Sequence, residues 1–529
     1  MRPRLQGKHR LAIEIVGLAD IVRVHARERP DATAIAFEGR KTSYAGLDRA
    51  ASQVANGLLS KGLRPQARVA HLDKSSDLFF ELLFGVAKAN GVMVSVNWRL
   101  APPEILHIIN DAEAEMLFVG EEYIPVIEKI RDELKTVRAI VTLGIRHGAW
   151  EEFTAWRDLQ AVADPQLPAR LQDTAVQFYT SGTTGLPKGA ELTNANFAWM
   201  FPLWTKSWLL APGVPNLVCL PMFHIGGAGW GIAGLFAGAT NHVVREFVPA
   251  VILKTIQRER LQVMLLVPAM ILFLVLAPQI RETDLSSLRL IVYGAAPIPV
   301  DLLKQAMGIF PCGFQQVYGL TETTGAITLL PPEDHDPSDP KKLLSCGYAQ
   351  TGVELRIVDD AGKDLPLGQV GEIAIRSPQV MHGYWRLPDA TNRAIQGDWF
   401  FSGDAGYLDD KGYLFIYDRV KDMIVSGGEN IYPAEVESAL FGHPDVADVA
   451  VIGVPDDRWG EAVKAVVVKK PGAGVTAGEL IAWARERIAG YKLPKSVDFI
   501  EALPRNPTGK ILKRELRLPY WGDKVRQVN

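Results

Sequence analysis

The eleven residues from Tyr179 to Gly189 read Tyr-Thr-Ser-Gly-Thr-Thr-Gly-Leu-Pro-Lys-Gly, gathering four Ser/Thr hydroxyls, three glycines and one lysine directly after an apolar strand end. Glycine lets backbone N–H groups approach an anion closely, hydroxyls add donors, and the Lys188 ammonium adds countercharge. The segment therefore has the chemistry of a phosphate cradle. It is not a Walker A loop, which needs four residues between its first glycine and Gly-Lys-Ser/Thr. Any three of these residues would read as a surface turn; all eleven together point to phosphate.

Such a loop has to be held by the elements on either side of it. Thr33 to Phe37, Arg68 to Leu72, Val92 to Val96, Met116 to Val119 and Arg138 to Leu143 are short apolar runs rich in Val, Ile or Phe and read as strands. Between them lie helical patterns, for example Leu47, Ala51, Val54 and Leu58 behind a capping Thr42 or Ser43. Strands alternating with helices predict a parallel sheet with helices on its faces, because parallel strands need a crossover. The alternation resumes from about residue 175 to 330, with Leu288 to Tyr293 the clearest strand, and predicts a second α/β layer. Val263 to Ala277 contains Pro268, is too short to span a membrane, and reads as a buried strand running into a core helix. Pro331 to Pro340 reads as a surface loop.

From about 345 to 417 the helical pattern fades, and Val353 to Val358, Gly371 to Arg376 and Gly412 to Tyr417 predict a small β subdomain. After Asp418-Arg419-Val420-Lys421-Asp422 the order becomes strand, strand, helix, strand: Ala447 to Val454, Ala462 to Lys469, Ala477 to Ala489 and Val497 to Ile500. A domain boundary is placed there.

At 529 residues the chain has room for several folding units and a large core. Lys plus Arg total 57 against 60 Asp plus Glu, a formal charge of −3, so no cationic excess exists for a nucleic-acid backbone. Cys219, Cys312 and Cys346 are far apart without Cys-x-x-Cys spacing, which argues against a disulfide framework or a thiolate zinc site and for a reducing cytoplasm. Glu14 and Asp20 interrupt the apolar stretch behind the basic first ten residues, so neither a signal peptide nor a transmembrane segment is expected. Peripheral membrane contact and a homodimer stay open.

Further motifs accompany the loop in order: Pro221-Met222-Phe223-His224, Gln316-Val317-Tyr318-Gly319-Leu320-Thr321-Glu322, Gly371-Glu372, Gly383-Tyr384-Trp385, Ser402-Gly403-Asp404, Asp418 to Asp422, Ser426-Gly427-Gly428-Glu429-Asn430 and Pro504-Arg505-Asn506-Pro507-Thr508-Gly509-Lys510. With them the chain resembles the adenylate-forming superfamily of acyl-CoA synthetases, firefly luciferase and peptide-synthetase adenylation domains, and most of all the fatty-acid–CoA ligases. The resemblance implies an α/β protein. Residues 1–418 would form a large N-terminal domain of two doubly wound sheets plus a small β-barrel-like subdomain, 419–421 a hinge, and 422–529 a smaller mobile α+β lid.

The implied chemistry is ATP-dependent activation of a carboxylic acid as acyl-adenylate, followed by transfer to coenzyme A. Thr180, Ser181, Gly182, Thr183, Thr184, Gly185 and Lys188 would hold the phosphates. Glu322, with Thr180, would hold Mg²⁺, and Thr321 would touch the α-phosphate. Lys510 would neutralise charge between the acid and the α-phosphate. Asp404 would accept from both ribose hydroxyls, which suits a carboxylate, with Arg419 beside it. Tyr318 would offer its ring to the adenine, the turn Gly294, Ala295 and Ala296 would let the base lie close to backbone, and Gln316 and Gly319 would also bind the nucleotide. His224 would stand at the mouth of the acyl pocket, lined by Phe223, Gly226, Gly227, Gly229, Trp230, Gly294, Ala295, Ala296, Gly319 and Leu320 as well. Lys421 would be the hinge residue, and Gly427 and Gly428 would line the pantetheine channel. Trp459 would stack on coenzyme A, a buried structural role being the alternative.

The small residues around the acyl pocket favour a medium- or long-chain fatty acid, with an aryl acid of benzoate or hydroxycinnamate type as the alternative. Amino-acid activation is disfavoured because His224 stands where such domains place an aspartate. Only 19 residues follow Lys510, too few for a carrier module. A non-catalytic nucleotide-binding module would be expected to lack Glu322 or Lys510.

Overall fold

The computed structural model describes residues 15–168, 170–180, 187–359, 361–419, 422–426, 429–456, 458–505 and 511–522. Two open sheets dominate. One has nine strands in the spatial order Tyr348–Ala349, Gly325–Leu330, Gly313–Leu320, Leu290–Gly294, Val263–Leu266, Pro215–Val218, Thr240–Val243, Thr33–Phe37 and Arg40–Ser43. The other has eight: Gly383–Tyr384, Lys188–Thr193, Thr174–Thr180, Val92–Ser95, Arg68–Leu72, Met116–Gly120, Ala139–Leu143 and Glu151–Glu152. The central strands of both run parallel, and the strands on either side of the phosphate loop pair antiparallel.

Side chains alternate along each strand, so each sheet serves two cores. Val263 and Val292 join Phe118 and Val176 of the other sheet in one cluster, filled by the helices Tyr44–Ser60, Asp77–Lys88, Asn194–Ser207 and Ile225–Phe236. Met264, Ile291 and Tyr293 turn the other way, onto the helices Pro249–Glu259, Pro268–Val275 and Val300–Ile309. The far face of the eight-stranded sheet carries Leu72, Val94 and Leu117 against Pro102–Asp111 and Ile124–Ile130. The predicted strands and the capped helix are present, with Ser43 Oγ accepting the Gly46 N–H. Val263–Leu266 runs into Pro268–Val275 as expected.

The allocation of strands differs from the linear reading. Thr33–Phe37 and Arg40–Ser43 belong to the sheet built mainly after residue 210, and Thr174–Thr180 and Lys188–Thr193 belong to the sheet built mainly before 150. Parallel pairing carries no short-range signal, so the partner of a strand is set by packing. The Pro331 to Pro340 segment is not wholly superficial either, since His335 is buried and its Nε2 lies 2.9 Å from the Tyr293 hydroxyl.

The later chain forms an antiparallel sheet of Glu354–Val358, Gly371–Arg376, Trp399–Leu408, Ile395–Gln396 and Leu414–Arg419. The C-terminal part has the long hairpin Val446–Asp456 and Gly460–Lys469, with Ser496–Phe499 parallel to the second strand and helices Ala477–Arg485 and Lys513–Trp521. A small hairpin, Ile424–Ser426 with Glu429–Ile431, and the helix Pro433–Phe441 precede it and were not foreseen. That helix buries only Pro433, Val436 and Leu440, too weak a stripe to stand out in the sequence.

Candidate active site

In open α/β sheets ligands bind beyond the carboxyl ends of the strands. At those ends of the nine-stranded sheet lie His224, Gly294 to Ala296, and Tyr318 to Glu322. Ala295 leaves its strand with φ +66° and an exposed side chain, so the chain turns sharply where the base is expected. Tyr318 donates its hydroxyl to Asp404 Oδ2 at 2.8 Å. Asp404 is buried and lies opposite Arg419 in the strand register. Two further groups shape this turn: Ser402 Oγ accepts the Asp404 N–H at 3.1 Å, and Glu372 Oε1 accepts the Gly403 N–H at 2.8 Å. Gln316 donates to Cys346 Sγ at 3.4 Å, while its buried Oε1 has no partner among the described residues.

The predicted phosphate residues belong to a hairpin whose last described pair is Thr180 opposite Lys188. Ser181, Gly182, Thr183, Thr184 and Gly185 lie outside the described residues. Lys188 Nζ sits 4.6 Å from the centroid of the Tyr384 ring, and the Tyr384 hydroxyl donates to Glu322 Oε1 at 2.8 Å. The loop's lysine and the carboxylate of a different sheet thus meet on one side chain.

Glu322 occupies a tight turn, Thr321–Thr323, followed by Thr324 at φ +55° and Gly325 at φ +105°. Gln379, fully buried, stitches this turn. Its amide donates to the carbonyls of Ala326 (2.8 Å) and Thr323 (3.4 Å), its Oε1 accepts from Trp204, and its own carbonyl accepts the Thr324 hydroxyl at 2.7 Å. The next residues clamp onto the hairpin: the Met381 N–H reaches the Glu322 carbonyl, His382 reaches Glu191, and Trp385 reaches Gly189. The Arg68 guanidinium then stacks 3.3 Å from the Trp385 ring centroid and pairs with Glu191 at 2.6 Å. The sequence marks Gly-Tyr-Trp as a motif without a task and gives no sign of Gln379 or Arg68. A lone Gln or Arg in a strand-rich stretch carries no motif.

On the acyl side the glycines have two different origins. A Cβ on Gly227, Gly294 or Gly319 would fall 2.2, 2.2 or 1.9 Å from a backbone carbonyl oxygen, so those glycines allow the chain to pass close to itself. Gly226 meets nothing nearer than 4.0 Å, and Ile225 lies over Gly229. Trp230 faces the core: its indole N–H donates to the Leu217 carbonyl at 2.9 Å and its ring packs on Trp208. His224 packs on Phe223, and its Nε2 is buried without a partner among the described residues. Burial, aided by the nearby Arg99 charge, pushes its imidazole down to about 4, so it is neutral at pH 7.

Lys421, Gly427, Gly428 and Lys510 lie outside the described residues, as does the Arg419 side chain. Trp459 is 39% exposed beneath the Arg458 guanidinium, 4.6 Å from its ring, which overturns the buried reading.

Comparison with known proteins meets this geometry. The family "AMP-binding enzyme" matches residues 22–385, and "AMP-binding enzyme C-terminal domain" matches 435–510. The fatty acid–[acyl-carrier-protein] ligase ScoC of Streptomyces coeruleorubidus is 40% identical over 97% of this chain and 98% of its own. The feruloyl-CoA synthase of an Amycolatopsis species is 39% identical over 93% and 96%, and the long-chain-fatty-acid–CoA ligase FadD13 of Mycobacterium tuberculosis is 37% identical over 91% and 93%. Among solved structures, the anthranilate CoA ligase AuaEII with anthranoyl-AMP superposes with a TM-score of 0.89 at 29% identity, covering 95% of this chain and 97% of that one. ATP-bound MatB from Rhodopseudomonas palustris gives 0.87 at 31%, covering 95% and 100%. The match of the family over residues 22–385 and 435–510, with relatives up to 40% identical along nearly the whole chain and solved structures of the same fold, places the chain in the AMP-binding enzyme family as an AMP-forming acyl-CoA synthetase.

Proposed function

We propose that the enzyme activates a medium- or long-chain fatty acid and passes it to coenzyme A. The meeting of Lys188 and Glu322 on Tyr384, at the hairpin that carries the loop, supports the adenylating part of this reading. In the first step a carboxylate oxygen attacks the α-phosphorus of ATP, the bond to the β-phosphate breaks, and pyrophosphate leaves. Both reactants are anionic, and at close range in a site of low dielectric their repulsion amounts to several kcal/mol unless cations intervene. Lys188 and the phosphate-loop donors hold the departing phosphates, and Lys510 neutralises the approach of the acid. His224, being neutral, shapes the mouth of the acyl pocket without trapping the carboxylate as an ion pair.

Magnesium typically takes one or two carboxylates plus phosphate oxygens, and the buried Glu322 carboxylate fits that need, with Thr180 at the loop's edge. When bound, the ion supplies charge neutralisation on the phosphates. In the second step the thiol of coenzyme A loses its proton, attacks the acyl carbon and expels AMP.

We read 1–418 as the adenylation domain, 419–421 as the hinge and 422–529 as the lid that exchanges the two steps. Lys421→Pro should leave pyrophosphate release intact and remove thioester formation, because a fixed φ blocks the rotation. Loss of both half-reactions would argue against a hinge there.

Fatty acids are favoured by the fatty-acid ligases of Streptomyces and Mycobacterium tuberculosis among the relatives. The feruloyl-CoA synthase and the anthranilate ligase favour an aryl acid as second reading. The test is AMP release with coenzyme A across fatty, aryl and amino acids. Each buried methylene contributes about 0.8 kcal/mol, so a fatty-acid enzyme should gain specificity steeply with chain length until its tunnel is full. Preference for ferulate or benzoate over every fatty acid would replace the first reading by the second.

A further inference from the structure

We propose that Tyr384 is a positioning residue of the adenylation step, holding the phosphate-loop lysine and the metal-binding glutamate apart and each in its working place. This rests on the assignment of Glu322 to Mg²⁺. The two charged groups come from different sheets: Lys188 opens the strand Lys188–Thr193 of the eight-stranded sheet, and Glu322 follows Gly313–Leu320 of the nine-stranded one. An ammonium and a carboxylate brought together in a partly buried cleft would ordinarily close into an ion pair. Each would then be neutralised by the other and lost to ATP. No ion pair of Lys188 or Glu322 occurs among the described residues. Instead the ring of Tyr384 takes the ammonium at 4.6 Å from its centroid, and its hydroxyl takes Glu322 Oε1 at 2.8 Å.

An aromatic face attracts a cation weakly enough to release it to a phosphate. A hydroxyl bonded to one carboxylate oxygen fixes the rotamer and leaves the other oxygen for the cation. The ring itself is held on several sides. Tyr384 pairs with Ala190 in the sheet, its N–H donates to Thr391 Oγ1 at 2.9 Å, and the following Trp385 lies under Arg68 at 3.3 Å. Gln379 and Met381, just before it, bind the Glu322 turn directly. The segment from Gln379 to Trp385 therefore splices the phosphate hairpin to the carboxylate turn, with Tyr384 at the splice.

The test separates ring from hydroxyl. ATP binding to the full-length protein is measured by calorimetry in EDTA and across a Mg²⁺ titration, beside pyrophosphate release. Tyr384→Phe keeps the ring and should leave metal-free ATP affinity within about twofold of wild type. The Mg²⁺ concentration at half effect should rise about tenfold, the usual size of a lost hydrogen bond to a charged group. Tyr384→Leu removes the separator, so metal-free ATP affinity should also fall about tenfold, and Lys188→Met should add little further loss in that background. Equal shifts of metal-free and Mg²⁺-dependent binding in Tyr384→Phe, or no shift in either, would overturn the proposal, as would additive losses in Tyr384→Leu with Lys188→Met. Glu322→Gln is the control for the assignment beneath it. If that change leaves the Mg²⁺ requirement unaltered, the metal assignment itself fails, whatever Tyr384 does.

Discussion

Lys510→Ala is expected to lower pyrophosphate release from acid and ATP by about 10²- to 10³-fold, the usual cost of removing one charge aimed at a developing anion in a dry site. Thioester formation from pre-made acyl-adenylate should stay within a few-fold of wild type, since by then the α-phosphorus has already been attacked. The physical basis is the meeting of two anions. On the proposed reading Lys188 serves the leaving phosphates on the hairpin side, so a second cation is needed where the acid arrives. The described residues on either side of 506–510 are firmly anchored. Arg505 and Ile511 form a β-bridge, the Leu512 N–H reaches the Pro504 carbonyl at 2.8 Å, and the following helix Lys513–Trp521 anchors Arg517 to Asp422 at 2.8 Å and the Trp521 indole N–H to the Gly453 carbonyl at 2.9 Å. Rapid-quench measurement of the two half-reactions checks the prediction. Equal loss of both would remove Lys510 from its assigned step.

A second large effect concerns stability. Lys88, the last residue of its helix, is fully buried, and its ammonium donates to Asp48 Oδ1 (2.6 Å), Asp164 Oδ2 (2.7 Å) and Ser52 Oγ (2.8 Å). Asp164 also takes two hydrogen bonds from Arg23, at 2.9 and 2.8 Å. One ammonium thus ties the helices Leu18–Glu28, Tyr44–Ser60 and Asp77–Lys88 to the segment leading into the phosphate hairpin. Removing one partner of a buried ionic cluster strands the others, so Lys88→Met should cost about 3–5 kcal/mol, seen as a lower urea midpoint. The same cluster sets an acid limit. Burial would raise the Asp164 carboxyl, but the hydrogen bonds from Arg23 and Lys88 outweigh it and hold it below the usual range. Its stabilisation is complete above the unfolded value of about 4 and is lost as pH falls from there toward the lower folded value. Lys88→Met should flatten that dependence below about pH 4. A midpoint and acid slope equal to wild type would show the cluster to be neutral for folding.

Local chemistry was legible wherever it resides in contiguous residues. The Tyr179 to Gly189 segment, the Gln-Val-Tyr-Gly-Leu-Thr-Glu strand and turn, and Ser-Gly-Asp stand out because the proposed phosphate, metal and ribose contacts would each demand particular residue types at fixed spacing. Strand positions were legible for a similar reason: Thr33–Phe37, Arg68–Leu72 and Gly371–Arg376 have the bounds that their apolar runs predict. The helix Pro433–Phe441, with three buried residues, had no comparable stripe.

The reading of small residues as an open acyl slot shows where such inference stops. Glycine records only that a side chain is not tolerated, and at Gly227, Gly294 and Gly319 the excluding neighbour is the protein's own backbone. Trp230, one turn along, faces Trp208 and the core, which helical spacing alone does not specify.

The linear order of residues determined the local chemistry: which groups are suited to a phosphate, which carboxylate is suited to a metal, and that strands and helices alternate. Only the folded chain decided which strands share a sheet, and that Tyr384 of the Gly-Tyr-Trp motif, with Gln379 and Arg68, which are unremarkable where they stand in the sequence, joins the lysine of one sheet to the glutamate of the other. Motifs are short-range because one stretch of backbone shapes each subsite. The distance between subsites depends on long-range packing, which no single stretch encodes.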